Sequence, residues 1–157
     1  MTQIASIVYG PIGEPNPKDD YLRLDLDEAN LIAGHGLEGD AHAVHNPDRQ
    51  LNIMSYETLT NLRVQGFYTE PGQMGEQIVI HQLDVDNLPA GARVQLGSDA
   101  VIEIIKPRTG CDKFETIQKK SRSLVQGQMG MIARVIVSGQ IHVGDPVRLL
   151  KDTPVNS

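Results

Sequence analysis

Residues 92–106, with the sequence ARVQLGSDAVIEIIK, show the pattern that is typical of this chain. Two β-prone runs flank the turn residues Gly97-Ser98-Asp99, a pattern that predicts two consecutive strands joined by a short turn. Similar runs, separated by Gly, Pro, Asn and Asp, recur along the chain. The predicted strands are Ile4 to Tyr9, Ala29 to Ile32, Leu51 to Met54, Gln77 to His81, Ala92 to Leu96, Ala100 to Lys106, Met131 to Ser138, Gln140 to Val143 and Val147 to Leu150.

Nine short strands without interleaved long helices favour an all-β fold, a barrel or a sandwich, over a doubly wound α/β fold. Ser138-Gly139 predicts a second hairpin turn. The strongest helix pattern runs from Tyr56 to Gln65, with Ser55 at the N-cap position and Gly66 after the end. A second short helix is predicted near Lys113 to Lys120. We therefore expect strands with a few short helices at the periphery.

Length, charge and cysteine content narrow the class of protein. The 157 residues fit one domain with its own core, and residues 152–157 are expected to form a flexible tail. A net charge of −6 argues against general nucleic-acid binding, which needs a basic surface. The start of the chain has no secretory signal pattern, and no window approaches the ~18 apolar residues of a membrane span. A single cysteine excludes an intrachain disulfide, so we expect a cytoplasmic protein.

Cys111 is the only cysteine and directly follows Lys106-Pro107-Arg108-Thr109-Gly110. Nearby positive charge lowers a cysteine pKa from about 8.5 into roughly the 3.5 to 7.5 range, and the resulting thiolate attacks electrophiles and ligates soft metals. Arg108 and Lys106 supply such charge. The basic segment from Lys106 to Arg122 is either a solvated helix face or a local positive field for a small anion. Cys111 itself is either a reactive thiol at a strand end or a buried structural residue.

The segment Gly34-His35-Gly36-Leu37-Glu38-Gly39-Asp40-Ala41-His42 is rich in glycine. Its glycines indicate a backbone whose N–H groups can face an anion, although the spacing is that of neither a Walker loop nor a dinucleotide fingerprint. His35, His42 and His45, with Asp40, raise the hypothesis of a zinc site. A hydrogen-bonded structural role for Asp40 and His42 is the interpretation that we prefer. A triad of Cys111 with a histidine and an aspartate is also left open.

Two further charged residues have both a structural and a functional interpretation. Glu76, which follows Gly72-Gln73-Met74-Gly75, either orients a ligand or caps a turn. Arg134 lies inside a predicted apolar strand, where an unpaired buried charge would be costly. It either forms a salt bridge to an Asp or Glu, or joins Arg49 and Arg108 as guanidiniums that bind phosphate or carboxylate bidentately.

An ordered set of motifs resembles the MOSC domain, the C-terminal domain family of molybdenum cofactor sulfurases. Each motif is weak alone, but together they are specific, and they run in family order between residues 30 and 150. The family often has Gly-Glu-Asn where this chain has Gly75-Glu76-Gln77. The motifs are Gly36-Leu37-Glu38-Gly39-Asp40-Ala41-His42, Arg49-Gln50, Gly75-Glu76, Pro107-Arg108-Thr109-Gly110-Cys111, Gly130-Met131-Ile132-Ala133-Arg134-Val135 and Gly144-Asp145-Pro146-Val147.

The resemblance implies a closed, strand-rich β-barrel with small peripheral helices. It also implies binding of the molybdenum cofactor, a phosphorylated pterin dithiolene that carries the metal, or sulfur transfer to it. In relatives, the cysteine that matches Cys111 is a proposed sulfur carrier or molybdenum ligand, and a soft thiolate suits the latter. The arginines would suit the pterin phosphate. The predicted cofactor-binding residues are Arg49, Arg108, Arg134, Asp40, His42 and Glu76.

The predicted function is a cofactor-binding or sulfur-carrier domain with one reactive cysteine. As an enzyme it would reduce N-hydroxylated compounds with an external redox partner; as a carrier it would receive sulfur from a donor protein. Neither a pyridoxal-phosphate site nor a second domain like that of the MOSC reductases is expected in this chain. The alternative is a non-catalytic interaction module for cofactor assembly, in which Cys111 is structural. The expected partners are the cofactor or a small N-hydroxylated substrate, and neither nucleic acid nor a membrane.

Overall fold

A computed structural model describes residues 1–10, 24–40, 50–109, 115 and 117–150. These residues contain one complete α-helix, α1 (Tyr56–Val64), and 3-10 helices at Val85–Asn87 and Arg122–Val125. All nine predicted strands are present. Two short strands, β2 and β4, were not predicted. The strands are β1 Gln3–Tyr9, β2 Leu24–Leu26, β3 Glu28–Ile32, β4 Gly36–Leu37, β5 Leu51–Ser55, β6 Ile78–His81, β7 Arg93–Leu96, β8 Ala100–Pro107, β9 Met131–Val137, β10 Gly139–His142 and β11 Val147–Leu149.

The strands of the described residues form two open sheets. Eight of them lie in the order β11-β7-β8-β9-β5-β6-β1-β2, and the other three lie in the order β10-β3-β4. The predicted closed β-barrel is therefore wrong. A barrel requires hydrogen bonds between the first and last strands of a sheet. In the larger sheet β11 and β2 are instead the two edges, and β3, β4 and β10 leave it to form a sheet of their own.

The all-β class is also wrong, because the fold is mixed α/β. β5 and β6 pair in parallel, with Ile53 opposite Ile78, and α1 lies between them in the chain. Parallel neighbours need a crossover connection, and a helix is the usual one. The sequence reveals this helix but not the parallel pairing. The expectation of a peripheral helix is wrong, because α1 belongs to the crossover.

Hydrophobic side chains cover one face of the larger sheet and the part of the other face that lies under α1. On one face, β5 and β6 contribute Ile53 and Ile78 to a core that also contains Leu31 and Ile141 of the smaller sheet. On the other face, Met54 of β5 and Val79 of β6 belong to a second cluster that includes buried residues of α1. That second cluster consists of Met54, Leu59, Leu62, Phe67, Met74, Val79, Val125 and Met129. β5 and β6 are thus buried on both sides, as in a layered α/β protein.

The two predicted turns have different outcomes. The β7–β8 hairpin is confirmed, since Leu96 pairs with Ala100 across the turn. The hairpin predicted at Ser138-Gly139 is wrong, because β10 pairs with β3 of the smaller sheet. A Cβ on Gly139 would lie 2.6 Å from the backbone nitrogen of Ala100, so only glycine allows the chain to pass this close as it changes sheets.

The predicted helix agrees with α1, which ends one residue earlier. Ser55 occupies the N-cap position, but its hydroxyl makes no capping bond. It instead donates to the carbonyl of Leu83 at 2.5 Å and accepts from the N–H of Val85 at 2.9 Å, which ties the start of α1 to the following 3-10 turn. Of the second predicted helix, the described residues Glu115, Ile117 and Gln118 are helical.

The predicted tail at residues 152–157 lies outside the described residues. Among the residues that the structure describes, no helix combines the length and apolar character that a membrane crossing requires.

Candidate functional site

The guanidinium of Arg108 packs against the turn formed by residues 72–75. Arg108 follows the end of β8, and its Nη1 donates to the carbonyl oxygen of Met74 at 2.5 Å. A Cβ added to Gly75 would lie 2.2 Å from Nη2 of Arg108. Because no side chain fits in that space, and because Gly75 has φ +79°, the contact requires glycine at this position. Part of the predicted Gly75-Glu76 motif therefore forms the surface on which Arg108 rests.

Glu76 holds the same turn from inside the protein. Its side chain is 2% exposed, and its two carboxylate oxygens accept from the N–H of Gly72 at 2.9 Å and of Met74 at 3.1 Å. Burial raises the pKa of this carboxyl, while the backbone N–H donors and the charge of Arg108 act in the opposite direction. Of the two interpretations of Glu76, the described contacts are those of a turn-forming residue.

A buried chain of hydrogen bonds connects Asp40 to this turn. Asp40 is buried and accepts from the N–H of Gly10 at 3.0 Å and from Nε2 of Gln77 at 2.6 Å. Oε1 of Gln77 accepts from the N–H of Asn52 at 2.6 Å, and Nδ2 of Asn52 donates to the carbonyl of Gly75 at 3.0 Å. Gln77, which stands where the family often has asparagine, thus links the glycine-rich segment to β5. These contacts agree with the structural role preferred for Asp40.

Gln118 attaches a second part of the chain to the segment from Tyr68 to Glu76. The side chain is buried; Oε1 accepts from the N–H of Tyr68 at 2.7 Å, and Nε2 donates to the carbonyl of Tyr68 at 2.7 Å. Nε2 also lies 3.1 Å from the carbonyl of Gln73 and 3.3 Å from the sulfur of Met74. Every polar atom of this buried amide therefore has a partner in the segment.

The main chain at Arg108 is fixed by Gly130. The N–H of Arg108 donates to the carbonyl of Gly130 at 3.0 Å, and the N–H of Gly130 donates to Oδ1 of Asp86 at 2.8 Å. A Cβ on Gly130 would lie 2.0 Å from the carbonyl oxygen of Ile53, so this glycine packs directly on β5. Desolvation raises the pKa of Asp86, against the hydrogen bonds from Gly130 and Thr58. Side chain and backbone of Arg108 are thus held from two directions.

Arg134 lies apart from these contacts, on the outward face of the larger sheet. Its side chain is 53% exposed and pairs with Oε1 of Glu103, through Nε at 3.0 Å and Nη2 at 2.6 Å. Nε of Arg93 approaches the other oxygen of Glu103 at 3.5 Å. The salt bridge, one of the two interpretations of Arg134, is therefore present. Its contact with a phosphate stays a prediction.

Three predicted site residues, Cys111, Arg49 and His42, lie outside the described residues, as does His45. The cysteine-centred triad and the zinc hypothesis stay untested for that reason. Within the residues that the structure does describe, no group of three or more His, Cys, Asp or Glu side chains is arranged to hold a metal. The structure thus brings together Asp40, Glu76 and Arg108, directly or through hydrogen-bonded neighbours.

Neither Asn52 nor Gln118 was predicted from the sequence, and neither were the contacts of Gln77. A signal existed for Asn52, which interrupts the apolar run of β5 just as Arg134 interrupts that of β9. A buried amide in a strand needs partners, so its position pointed to a network. Gln118 lies among charged residues, and that composition is typical of a solvated helix face. Its partners become evident only from the folded chain.

Comparisons with known proteins support one family. The model of the MOSC domain matches residues 39–148. A protein named "Reductase" from Gibberella moniliformis (strain M3125 / FGSC 7600) is 30% identical over 132 residues. That match covers 80% of this chain and 22% of the fungal protein, so the chain spans about a fifth of the length of this relative.

Solved structures share the fold. The YuaD protein from Bacillus subtilis has a TM-score of 0.72 at 19% identity, with 94% of each chain covered. YiiM from Escherichia coli has a TM-score of 0.69 at 24% identity, covering 97% of this chain and 71% of that one. YiiM from Geobacillus stearothermophilus has a TM-score of 0.71 at 21% identity, covering 96% and 76%.

The resemblance seen in the sequence motifs is therefore confirmed. The matched segment contains Asp40, Glu76 and Arg108 and makes up well over half of the chain. This chain belongs to the MOSC domain family.

Proposed function

We propose that this chain binds the molybdenum cofactor, with Cys111 as the thiolate at the metal, and reduces small N-hydroxylated compounds. Membership of the MOSC family and the fungal relative named as a reductase support this function. The observation that carries the proposal is the placement of Arg108. Its guanidinium is fixed on the turn at residues 72–75, three positions before the only cysteine of the chain.

The donor set fits a group that combines a phosphate with a soft metal. Arg108 is half-buried, and Lys106 and Thr109 beside it are exposed. Guanidinium, ammonium and hydroxyl groups are phosphate donors, and a thiolate is a ligand for soft metals. The nearby carboxylate of Glu76 is not itself exposed to an anion at the surface, because it is buried and both its oxygens accept backbone N–H groups. The residues present therefore fit the cofactor.

Each proposed role follows from residue chemistry. Arg108 and Arg49 bind the phosphate, and Cys111 holds the metal end. We do not extend phosphate binding to Arg134, because its guanidinium pairs with Glu103 on the exposed face of the sheet. When bound, the cofactor supplies two-electron chemistry. For an amidoxime, the N–O bond breaks with two electrons from an external redox partner and two protons, which gives an amidine and water.

The proposal is tested with protein loaded in molybdate-supplied cells, an amidoxime as substrate and a reduced viologen dye as electron donor. We expect two dye molecules oxidised per amidoxime consumed, and no turnover in Cys111→Ala. Arg108→Gln should raise the dissociation constant of the cofactor at least about tenfold, and so lower the fraction of loaded protein, since a charge-assisted hydrogen bond contributes on the order of 1.5–3 kcal/mol.

The matched control is Arg148→Gln, which removes an exposed arginine whose Nη2 donates to Gln95 at 2.7 Å. This variant should bind the cofactor and reduce the amidoxime to the same extent as the wild type. Equal loss in both arginine variants, or turnover that persists in Cys111→Ala, would contradict the assigned roles.

A further inference from the structure

We propose that the outer side of β7, β8, β9 and β11 is the docking surface for an acidic electron-carrier protein. This surface, the arginine face, rests on the function proposed above in one respect, that the reduction needs an external redox partner. The residues of the arginine face are Arg93, Gln95, Val101, Glu103, Arg134, Val137 and Arg148.

Strand pairing places these side chains on one side of the larger sheet. In antiparallel strands, residues directly opposite each other point to the same side. Arg93 lies opposite Glu103, and Glu103 lies opposite Arg134. In the neighbouring row Gln95 lies opposite Arg148, and alternation along β7 gives Gln95 and Arg93 the same side. The contacts agree with this register, since both outer arginines of the first row reach Glu103 and Nη2 of Arg148 donates to Gln95 at 2.7 Å.

The opposite side of the same strands faces the hydrophobic core. Val94, Ile102 and Val135 belong to the core cluster that the two sheets share. Each is a chain neighbour of a charged residue of the arginine face, which therefore points outward. The side chains of Arg134 and Arg93 are 53% and 41% exposed. On this outer side of the sheet α1 packs over β5 and β6, and solvent reaches the arginines beside it.

The charge of the arginine face is opposite in sign to that of the whole chain. The chain has a net charge of −6. The four strands of the face contain one acidic side chain, Glu103, and four basic ones, Arg93, Lys106, Arg134 and Arg148. Arg93 and Arg134 share the single carboxylate, and Arg148 donates to a neutral amide, so positive charge is in excess on these strands. A local excess of this kind attracts the acidic surface of a partner and orients it.

Two valines give the arginine face a small apolar part. Val101 lies opposite Val137, and Gln95 lies on the other side of Val101. Val137 is 46% exposed. Complexes that transfer electrons are at the small end of protein interfaces, because the partners must separate after each encounter. A charged face with limited apolar area is therefore suited to a carrier that binds briefly.

The arginine face continues toward the candidate functional site. Arg108 follows the end of β8 (Ala100–Pro107), and its N–H donates to the carbonyl of Gly130, directly before β9. The chain from Glu103 to Arg108 spans roughly 16 Å in an extended strand. Lys106, which is exposed, lies between them. A carrier on the arginine face therefore rests on the two strands that lead to the proposed cofactor-binding arginine.

The experiment measures how fast the full chain binds a [2Fe–2S] ferredoxin of net negative charge, by surface plasmon resonance at low and at physiological ionic strength. Arg134→Gln and Arg148→Gln, singly and combined, remove positive charge from the arginine face. Glu103→Gln removes its negative charge instead. The matched control is Arg63→Gln, which makes the same change in net charge at an exposed position of α1, where Nε of Arg63 donates to Thr69 at 2.8 Å. Circular dichroism confirms that each variant is folded.

We expect the association rate constant of the double variant to be at least about tenfold below that of the wild type at low ionic strength, within the range that charge steering covers. Glu103→Gln should associate about twofold faster than the wild type, and Arg63→Gln should stay within about twofold of it. Added salt should slow the wild type, because it screens exposed charges. The opposite sign expected for Glu103→Gln decides the matter if the double variant does not fold.

Three results would overturn the proposal. The first is equal association in the double variant and in Arg63→Gln, and the second is slower association in Glu103→Gln than in the wild type. The third is a wild type that does not bind the acidic carrier. Self-association of the wild type that is lost in the double variant would also contradict it, and would assign the arginine face to a second copy of this acidic chain.

Docking and the proposed function are scored separately. Binding is measured without substrate or turnover, whereas reduction of the amidoxime with the viologen dye tests the function alone. The dye is a small molecule that needs no docking surface, so Arg148→Gln remains the control in that assay. Dye-driven turnover together with unchanged carrier binding in all face variants would therefore refute the docking surface and leave the proposed function intact.

Discussion

Glu76 is a buried acid whose oxygens are used entirely within the protein. Its contacts with the N–H groups of Gly72 and Met74 shape the turn, while the same burial makes the charged form expensive. The result is a carboxyl whose pKa is raised above its ordinary value of 4.5. The folded state therefore binds this proton more tightly than the unfolded state does. Such a group stabilises the fold most at low pH.

We predict that Glu76→Gln removes this pH dependence. In the wild type, the contribution of Glu76 is fully present below pH 4.5 and is lost as pH rises through the folded-state pKa. The free energy of unfolding of the wild type, minus that of Glu76→Gln, should therefore decrease from pH 4 to pH 7. Urea unfolding at several pH values measures it. A difference that stays constant or increases with pH would refute the raised pKa.

The sequence identified charged site residues better than it identified their environment. Glu76 and Arg108 stand in short motifs, so both could be selected from the sequence. The partner of Arg134 could not, because Glu103 lies opposite it only through the register of β8 and β9. Gln118 was missed since its partners are about 45 to 50 positions away in the chain. Long-range pairing is not encoded in any local pattern.

At the scale of elements, β5, α1 and β6 form the unit that positions the site. Asn52 of β5 reaches the turn under Arg108, and Gln77 lies directly before β6. Because β5 and β6 are parallel, the chain must cross over one face of the sheet between them. The crossover contains both α1 and the turn at residues 72–75 against which Arg108 packs. The site is thus built on the return path of one β-α-β unit.

We predict that α1 is a core element rather than a peripheral one. Leu62 is 0% exposed and Val64 is 83% exposed on the same helix. Leu62→Ala should lower the free energy of unfolding by about 2–5 kcal/mol, because it leaves a cavity in the cluster under the helix. Val64→Ala should change it by less than about 0.5 kcal/mol. Chemical denaturation measures both, and similar values for the two variants would show that α1 is dispensable to the core.

Helices and turns could be predicted from the sequence where interactions among neighbouring residues determine them. The β7–β8 turn and the helix were both found because glycine, the N-cap position and apolar spacing act over a few residues. β2 was missed because its three residues are largely exposed, and β4 because it has only two. The parallel pairing of β5 with β6 depends on the crossover as a whole. The predicted strands, without their pairing, therefore gave the wrong fold class, all-β instead of mixed α/β.

Across the whole molecule, the two sheets share one hydrophobic core. Ile141 of β10 and Leu31 of β3 are buried in the same cluster as Ile53 of β5. The chain changes sheets at Ser138, whose hydroxyl accepts from the N–H of Ala33 at 2.8 Å. Separate sheets with a common core have no independent stability, so we expect them to unfold together.

We predict a single unfolding transition that responds to substitutions in the smaller sheet. Ile141 is 0% exposed, whereas Val143 is 44% exposed. Ile141→Ala should lower the midpoint of the entire transition, by about 2–5 kcal/mol in free energy, and Val143→Ala should have little effect. Fluorescence and far-ultraviolet circular dichroism should give coincident curves. Two separated transitions in Ile141→Ala would mean that the sheets have separate cores.

Native mass spectrometry of protein purified anaerobically from molybdate-supplied cells measures whether this chain binds the molybdenum cofactor. We predict wild-type protein that carries one metal-bearing pterin and Cys111→Ala protein that carries none. Bare wild-type protein, from cells whose other molybdenum proteins are loaded, would contradict cofactor binding. A mass gain of one sulfur atom at Cys111 without any pterin would contradict it too, and would identify the thiol as a persulfide carrier.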